Sequence, residues 1–248
     1  MAPVLLDRKL EPKTRMLCFS GFAAVHSGLT RTPLWPAERL TRAGQKRADV
    51  VARVDDFHAE ARLPADERAE LQDYARSGFD RGHLAPAADM SSKSAQRQSS
   101  SLANIIPQAP ESNRGIWSDI EGAVRDLARR DGEVFVVTGV VFAGETLQRV
   151  GGRVFVPTQV WKAVYVPRSG LAGAYVVENT ASQDWREIPI TELAALAGID
   201  PFPALQGTSR SRQQDLPDPR SPRQQRQDTK QPSGSGSVLE QFLEQLTR

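Results

Sequence analysis

Histidine is scarce in this chain, occurring only as His26, His58 and His83, and the last has the most unusual surroundings: Gly78-Phe79-Asp80-Arg81-Gly82-His83-Leu84-Ala85-Pro86. Two glycines, a proline and three ionisable side chains within this short stretch point to a shaped turn that presents side chains. Arg81 and His83 stand two apart, so in extended backbone both face the same way. A cation beside an imidazole disfavours its protonation and keeps the ring available as a base near neutral pH. The plain alternative is a solvent-facing turn in which Asp80 pairs locally with Arg81.

Downstream lie Asn104-Ile105-Ile106-Pro107-Gln108 and Asn113-Arg114-Gly115-Ile116-Trp117. Asn113 falls at or just before the start of a helix, where Asn is also a common cap. Glu121 lies about two turns further, on broadly the same side. An amide oxygen and a carboxylate facing a loop with His and Arg make oxygen ligands for Mg²⁺, with most of the coordination left to water and substrate phosphate. Caps and surface salt bridges use the same residue types.

The elements that must position these groups can be read from periodicity. Glu133 to Phe142, Arg153 to Val166 and Ala174 to Glu178 are rich in Val, Phe and Tyr and are separated by Gly-containing turns, which predicts strands. Pro157 interrupts the second run, so it reads as a bulged or edge strand or as two short ones. One helix is expected over Pro64 to Arg76, with Pro in its first turn and Gly78 beyond its end. Another is expected from Asn113 or Ser118 to Arg129, because Ile116, Trp117, Ile120, Val124 and Leu127 recur at helical spacing. A short helix over Thr191 to Ala197 completes the body. Trp35, Trp117 and Trp161 read as core anchors and Trp185 as an exposed aromatic.

Composition narrows the classes. The chain has 248 residues, a net charge of +2 and a single cysteine, Cys18. That excludes an internal disulfide framework and a thiolate zinc cluster, and Cys18 reads as a buried, inert thiol. From Gln206 onward there are seven Lys/Arg against five Asp/Glu, so the excess positive charge lies in the tail and the body is neutral by count. The pI therefore says nothing about nucleic acid. Residues 1–205 form the expected domain. Residues 206–237, dominated by Gln, Arg, Ser, Pro and Gly, form a basic linker expected to be disordered. Residues 238–248 repeat apolar side chains at helical intervals and could form a short terminal amphipathic helix. The start shows no signal-peptide run, because Asp7 intervenes, and no segment reaches membrane-helix length.

DRGHLAPAADM at Asp80 to Met90, NIIPQ at Asn104 to Gln108 and NRGIWSDIE at Asn113 to Glu121 resemble the DNA/RNA non-specific endonuclease family. This group has the ββα-metal fold and includes sugar-non-specific bacterial nucleases and mitochondrial endonuclease G. The likeness extends over roughly residues 14–205, through Thr32 to Glu38, Asp55 to His58, Val137-Thr138-Gly139, Val156-Pro157-Thr158 and Gly198 to Pro203. It implies an α+β fold with a central, mainly antiparallel sheet flanked by helices. It also implies Mg²⁺-dependent hydrolysis of phosphodiesters in DNA and RNA without sequence specificity, leaving 5′ phosphates, with Mn²⁺ an admissible substitute. Carried over residue by residue, His83 matches the general base and Asn113 the direct metal ligand. Glu121 matches the acid that holds the ion's water network, and Arg81 the phosphate-contacting arginine. Asn104 matches the active-site asparagine that orients the histidine region, and Arg53, on a looser alignment, a further phosphate contact. Gln159 stands where a histidine is frequent and Val140 where proline is common, and neither removes an expected catalyst. Relatives are often dimers and often exported or periplasmic, so the resemblance leaves a homodimer open, while the residues themselves do not set the oligomeric state. An inhibitor or secretion partner for the C-terminal tail is a further expectation. The rival reading is a protein of the same fold that binds nucleic acid but cleaves weakly.

Overall fold

The computed structural model describes residues 2–212 and 214–219. The expected terminal helix at 238–248 and most of the linker at 206–237 lie outside the described residues. In chain order the strands are β1 (Val4–Leu5), β2 (Thr14–Cys18), β3 (Phe22–Ser27), β4 (Thr32–Thr41), β5 (Asp80–His83), β6 (Ile105–Gln108), β7 (Glu133–Val141), β8 (Arg149–Val150), β9 (Val154–Phe155), β10 (Gln159–Val166), β11 (Leu171–Glu178), β12 (Trp185–Ile188) and β13 (Ile199–Asp200). The helices are α1 (Arg42–Ala48), α2 (Lys93–Ser99), α3 (Pro110–Arg114), α4 (Ile116–Asp131), α5 (Ile190–Ala197) and α6 (Thr208–Ser211).

A seven-stranded antiparallel sheet in the order β12-β11-β10-β7-β4-β3-β2 forms the centre. Alternation along its strands sends side chains to two packed faces. Val134, Val136 and Val140 of β7 and Val160 and Val164 of β10 meet Trp117, Ile120, Val124 and Leu127 of α4. Val137, Trp161, Ala163 and Val176 meet Ile190 and Leu193 of α5 on the other side. Each fully buried large side chain contributes about 1.5–3 kcal/mol relative to exposure. The α+β fold with helices flanking an antiparallel sheet is thus the expected one, and the strand runs beginning at Glu133, Arg153 and Ala174 are all present. Pro157 divides the second run into β9 and β10, and β10 is central, not an edge.

Several expectations are corrected. Pro64 to Arg76 forms no α-helix; only Leu71–Tyr74 makes a 3-10 turn. The physical reason is competition for carbonyls. Asp66, Glu67 and Arg68 accept hydrogen bonds from Arg31, His26 and Arg153 respectively, instead of closing helical turns. The second helix is two, because Gly115 takes φ −107° and ψ −114° between α3 and α4. Asn113 and Glu121 therefore sit on different helices, not on one side of a single helix. Cys18 is exposed, since alternation in β2 turns Leu17 inward. Trp185 is half-buried against Tyr175, at 5.7 Å between ring centres.

The described part of the tail is also ordered by specific contacts. Arg210 makes a bidentate pair with Asp200 at 2.7 and 3.0 Å. Leu216, the one large apolar residue between Gly207 and Ser237, enters the α4-side core at 6% exposure. The Tyr175 hydroxyl donates to the Pro217 carbonyl at 2.7 Å. Leu216→Ala is expected to cost about 2 kcal/mol, since it empties a buried site against Gly173 and Tyr175. Urea unfolding measures it, and a loss below about 0.5 kcal/mol, the scale of an ordinary surface substitution, contradicts the packing.

Candidate active site

β5 and β6, joined by a long connection that carries α2, pair antiparallel as a long-looped hairpin in the register Asp80↔Gln108, Arg81↔Pro107, Gly82↔Ile106 and His83↔Ile105. Gly82 is required there, because any Cβ would collide with the Gln108 side chain. Leu84 and Ile106 anchor the hairpin in the α4-side core. Beyond His83 the chain is pinned by Asn104, which is 0% exposed. Its Nδ2 donates to the carbonyls of Ala85 at 2.9 Å and Ser99 at 2.8 Å, and its Oδ1 accepts from Ala85 N at 2.9 Å. Both ends of that amide are used on backbone, so Asn104 braces the chain beside His83, in keeping with the orienting part expected of it.

His83 is half-buried, with its ring centre 5.2 Å from that of Phe57. The Arg81 guanidinium lies 4.2 Å over the same Phe57 ring, so one aromatic face fixes both residues. Burial pulls the imidazole down to about 4, helped by the positive charges of Arg53 and Arg81 and opposed by Asp55. Its Nε2 is shielded and has no protein partner among the described residues. Arg53 is exposed and pairs with Asp55 at 3.0 Å.

Asp80 links this hairpin to α3. Its carboxylate accepts from Asn113 Nδ2 at 2.9 Å and from Arg114 at 2.6 and 2.8 Å. Burial opposes its charge, but the bonds from Arg114 and Asn113 hold it below the ordinary carboxylate range. With Nδ2 committed, Asn113 Oδ1 has no protein partner among the described residues. The α3–α4 break is stapled by Gln183, whose Oε1 accepts from Ile116 N at 2.8 Å while its Nε2 donates to Glu111 O at 3.0 Å. Neither Asp80 as an Asn113 anchor nor Gln183 as a staple is apparent from spacing, because both act across long separations.

Glu121 sits in the first half of α4 with its side chain 15% exposed and Arg125 at 3.9 Å. Burial pushes it up to about 7, against the charges of Lys162 and Arg125 and with help from Asp89. The positive charge of Arg53 bears on both Glu121 and His83. Among the described residues no three His, Cys, Asp or Glu side chains converge as a ligand set. The donors present, one amide oxygen and one carboxylate, fit a hard cation that keeps most of its water.

The value for His83 has a consequence for stability. The folded chain resists a proton that the unfolded chain takes up near 6.5, so stability is full above that pH and falls as pH drops towards about 4, below which this contribution is flat. In chelator, His83→Ala is expected to lose less stability than the parent between those limits, by on the order of 2–3 kcal/mol. Parallel pH profiles of the two proteins in urea unfolding would refute this.

Similarity to known proteins places the fold in a family. The family model described as DNA/RNA non-specific endonuclease matches residues 8–208. A nuclease from Nostoc sp. is 31% identical over 77% of this chain and 74% of its own length. The human mitochondrial nuclease EXOG is 29% identical over 79% of this chain, which spans 59% of that relative. A crystal structure of the EndoG/EndoGI complex superposes with a TM-score of 0.68 and 25% identity, covering 74% of this chain and 84% of that one. With the family pattern matched from before β2 to α6, the chain belongs to the DNA/RNA non-specific endonuclease family.

Proposed function

We propose that this nuclease hydrolyses phosphodiester bonds in DNA and RNA without sequence preference, using Mg²⁺, with Mn²⁺ as a substitute, and leaving 5′ phosphates. The observation that supports it best is the coupling of two halves through one short strand. β5 presents His83 and Arg81 at one end and, through Asp80, holds Asn113 at the other. His83, kept neutral near pH 7, takes the proton from the attacking water. Arg81, flattened on Phe57, donates to the phosphate, with Arg53 as a second, more exposed contact. Asn104 holds the backbone after His83 in register. Asn113 Oδ1 would hold the ion directly and Glu121 would hold it through water. When bound, the ion offsets charge developing on the phosphate oxygens. Contacts to phosphate and sugar carry no base code, which accounts for breadth of substrate.

The test is nicking of supercoiled plasmid and cleavage of single-stranded RNA, with Mg²⁺, with Mn²⁺ and with chelator. Cleavage of both substrates that stops in chelator is expected. Full activity in chelator would overturn the ion's part, and cleavage confined to one sugar would overturn the breadth. The structural relative is an EndoG/EndoGI complex described as showing the mechanism of EndoG inhibition, and an inhibitor protein is the partner class proposed for this chain.

A further inference from the structure

Under the site lies a buried lysine to which the reading above gives no task. Lys162 stands in the middle of β10, in a row with Val160 and Val164, and is 1% exposed. A leucine or methionine would fill that row, whereas a buried ammonium is costly unless its charge is answered. Its partners come from separate parts of the fold. Nζ donates to Thr138 Oγ1 of β7 at 2.6 Å and to the carbonyl of Leu84, the residue after His83, at 3.4 Å. It also lies 5.2 Å from the ring of Trp117, in the first turn of α4.

The charged groups that face it complete the picture. Glu38 of β4 is 5% exposed, and neither of its oxygens has a protein partner among the described residues. Asp89 pairs with Arg125 at 3.2 Å, and Glu121 lies 3.9 Å from the same guanidinium. Lys162 is the foremost of the charges that favour ionised Glu121. The charges of Arg125 and Lys162 bear on Glu38, Asp89 and Glu121 alike, while Arg129 acts also on Asp89 and Arg53 on Glu121, and burial raises all three acids above the ordinary carboxylate range. Of those cations, Lys162 is the one that also touches the histidine segment.

We propose that Lys162 is a positioning residue for the cleavage reaction: held by Thr138 and set against Trp117, it ties the backbone beside His83 to the first turn of α4, the helix that carries Glu121. The proposal rests on the reading of Asn113 and Glu121 as the groups that hold the ion.

Lys162→Met keeps the stem and removes the charge, but takes away one of the two cations that bear on Glu38, a buried acid whose oxygens have no protein partner among the described residues. The double variant Lys162→Met/Glu38→Gln removes that buried acid as well and protects the fold. Four quantities are to be measured for both, and for Glu38→Gln alone: thermal midpoint, Mn²⁺ affinity from the electron paramagnetic resonance of free Mn²⁺, KM for DNA and kcat. In the double variant the midpoint and KM are expected to stay at parental values, while kcat and Mn²⁺ affinity each fall about tenfold or more. Glu38→Gln alone is expected to change Mn²⁺ affinity less than threefold. A double variant with parental stability, kcat and Mn²⁺ affinity overturns the proposal and leaves Lys162 a packing residue. Asn113→Ala serves as the control. If it binds Mn²⁺ like the parent, the ion reading is wrong, and a kcat loss at constant KM in the double variant still supports positioning through Leu84.

Discussion

His83→Ala is expected to lower kcat for plasmid cleavage by at least about 10²-fold, the lower bound for removing a positioned general base. The variant should fold as well as its parent. The imidazole gives up only its ring contact with Phe57, and its Nε2 bonds to nothing in the protein among the described residues. The backbone around it is held independently, by the β5–β6 ladder on one side and the Asn104 amide on the other. Burial, Arg53 and Arg81 all disfavour the charged ring, so the parent carries its base neutral over the whole range near pH 7. The part of kcat/KM that depends on this base should therefore be constant through neutrality and fall only as pH approaches about 4. A single-turnover assay with saturating Mg²⁺ isolates the chemical step. Retention of more than about a tenth of the parental rate would exclude His83 as the base, given the usual size of that effect.

How much of this is visible in the chain depends on how local each interaction is. The hairpin end with Arg81 and His83 is legible because its signals lie side by side: glycines, a proline and alternating polar groups. Phe57, which fixes both side chains, is not, because it reaches the hairpin through tertiary packing. Asp80 has a plausible local partner in Arg81, yet its bonds go to Asn113 and Arg114, more than thirty residues along the chain. The helix read over Pro64 to Arg76 has good start and stop signals, but propensity loses to the side chains of Arg31, His26 and Arg153, which capture its carbonyls. Lys162 is silent for another reason. In VWKAVYV a single lysine inside an apolar run carries no local sign of its burial, whereas helices cover both faces of the sheet. Periodicity reports which residues share a face, and it cannot report that both faces are buried.

Asp80 is the residue that turns this distinction into a measurable effect. Asp80→Ala is expected to weaken Mn²⁺ binding about 10- to 100-fold, the range found when a group that orients a metal ligand is removed. Two hydrogen-bonding partners lose their acceptor at once. Asn113 loses the bond that directs its Nδ2 away from the ion-binding space, and Arg114 loses a bidentate partner. The amide is then free to rotate, so Oδ1 occupies the required direction for only part of the time. Arg114 is exposed and can turn into water, so its release costs little stability, as for other exposed ion pairs. Asp80→Asn should lose less, because an amide oxygen can still accept from Asn113. Asn113→Ala should lose at least as much as Asp80→Ala, because it removes the ligand itself. This order, with Asp80→Asn mildest, is what a positioning bond predicts. If Asp80→Ala binds Mn²⁺ like the parent while Asn113→Ala does not, the amide is oriented by something other than β5. The hairpin would then not be what joins the base to the ion.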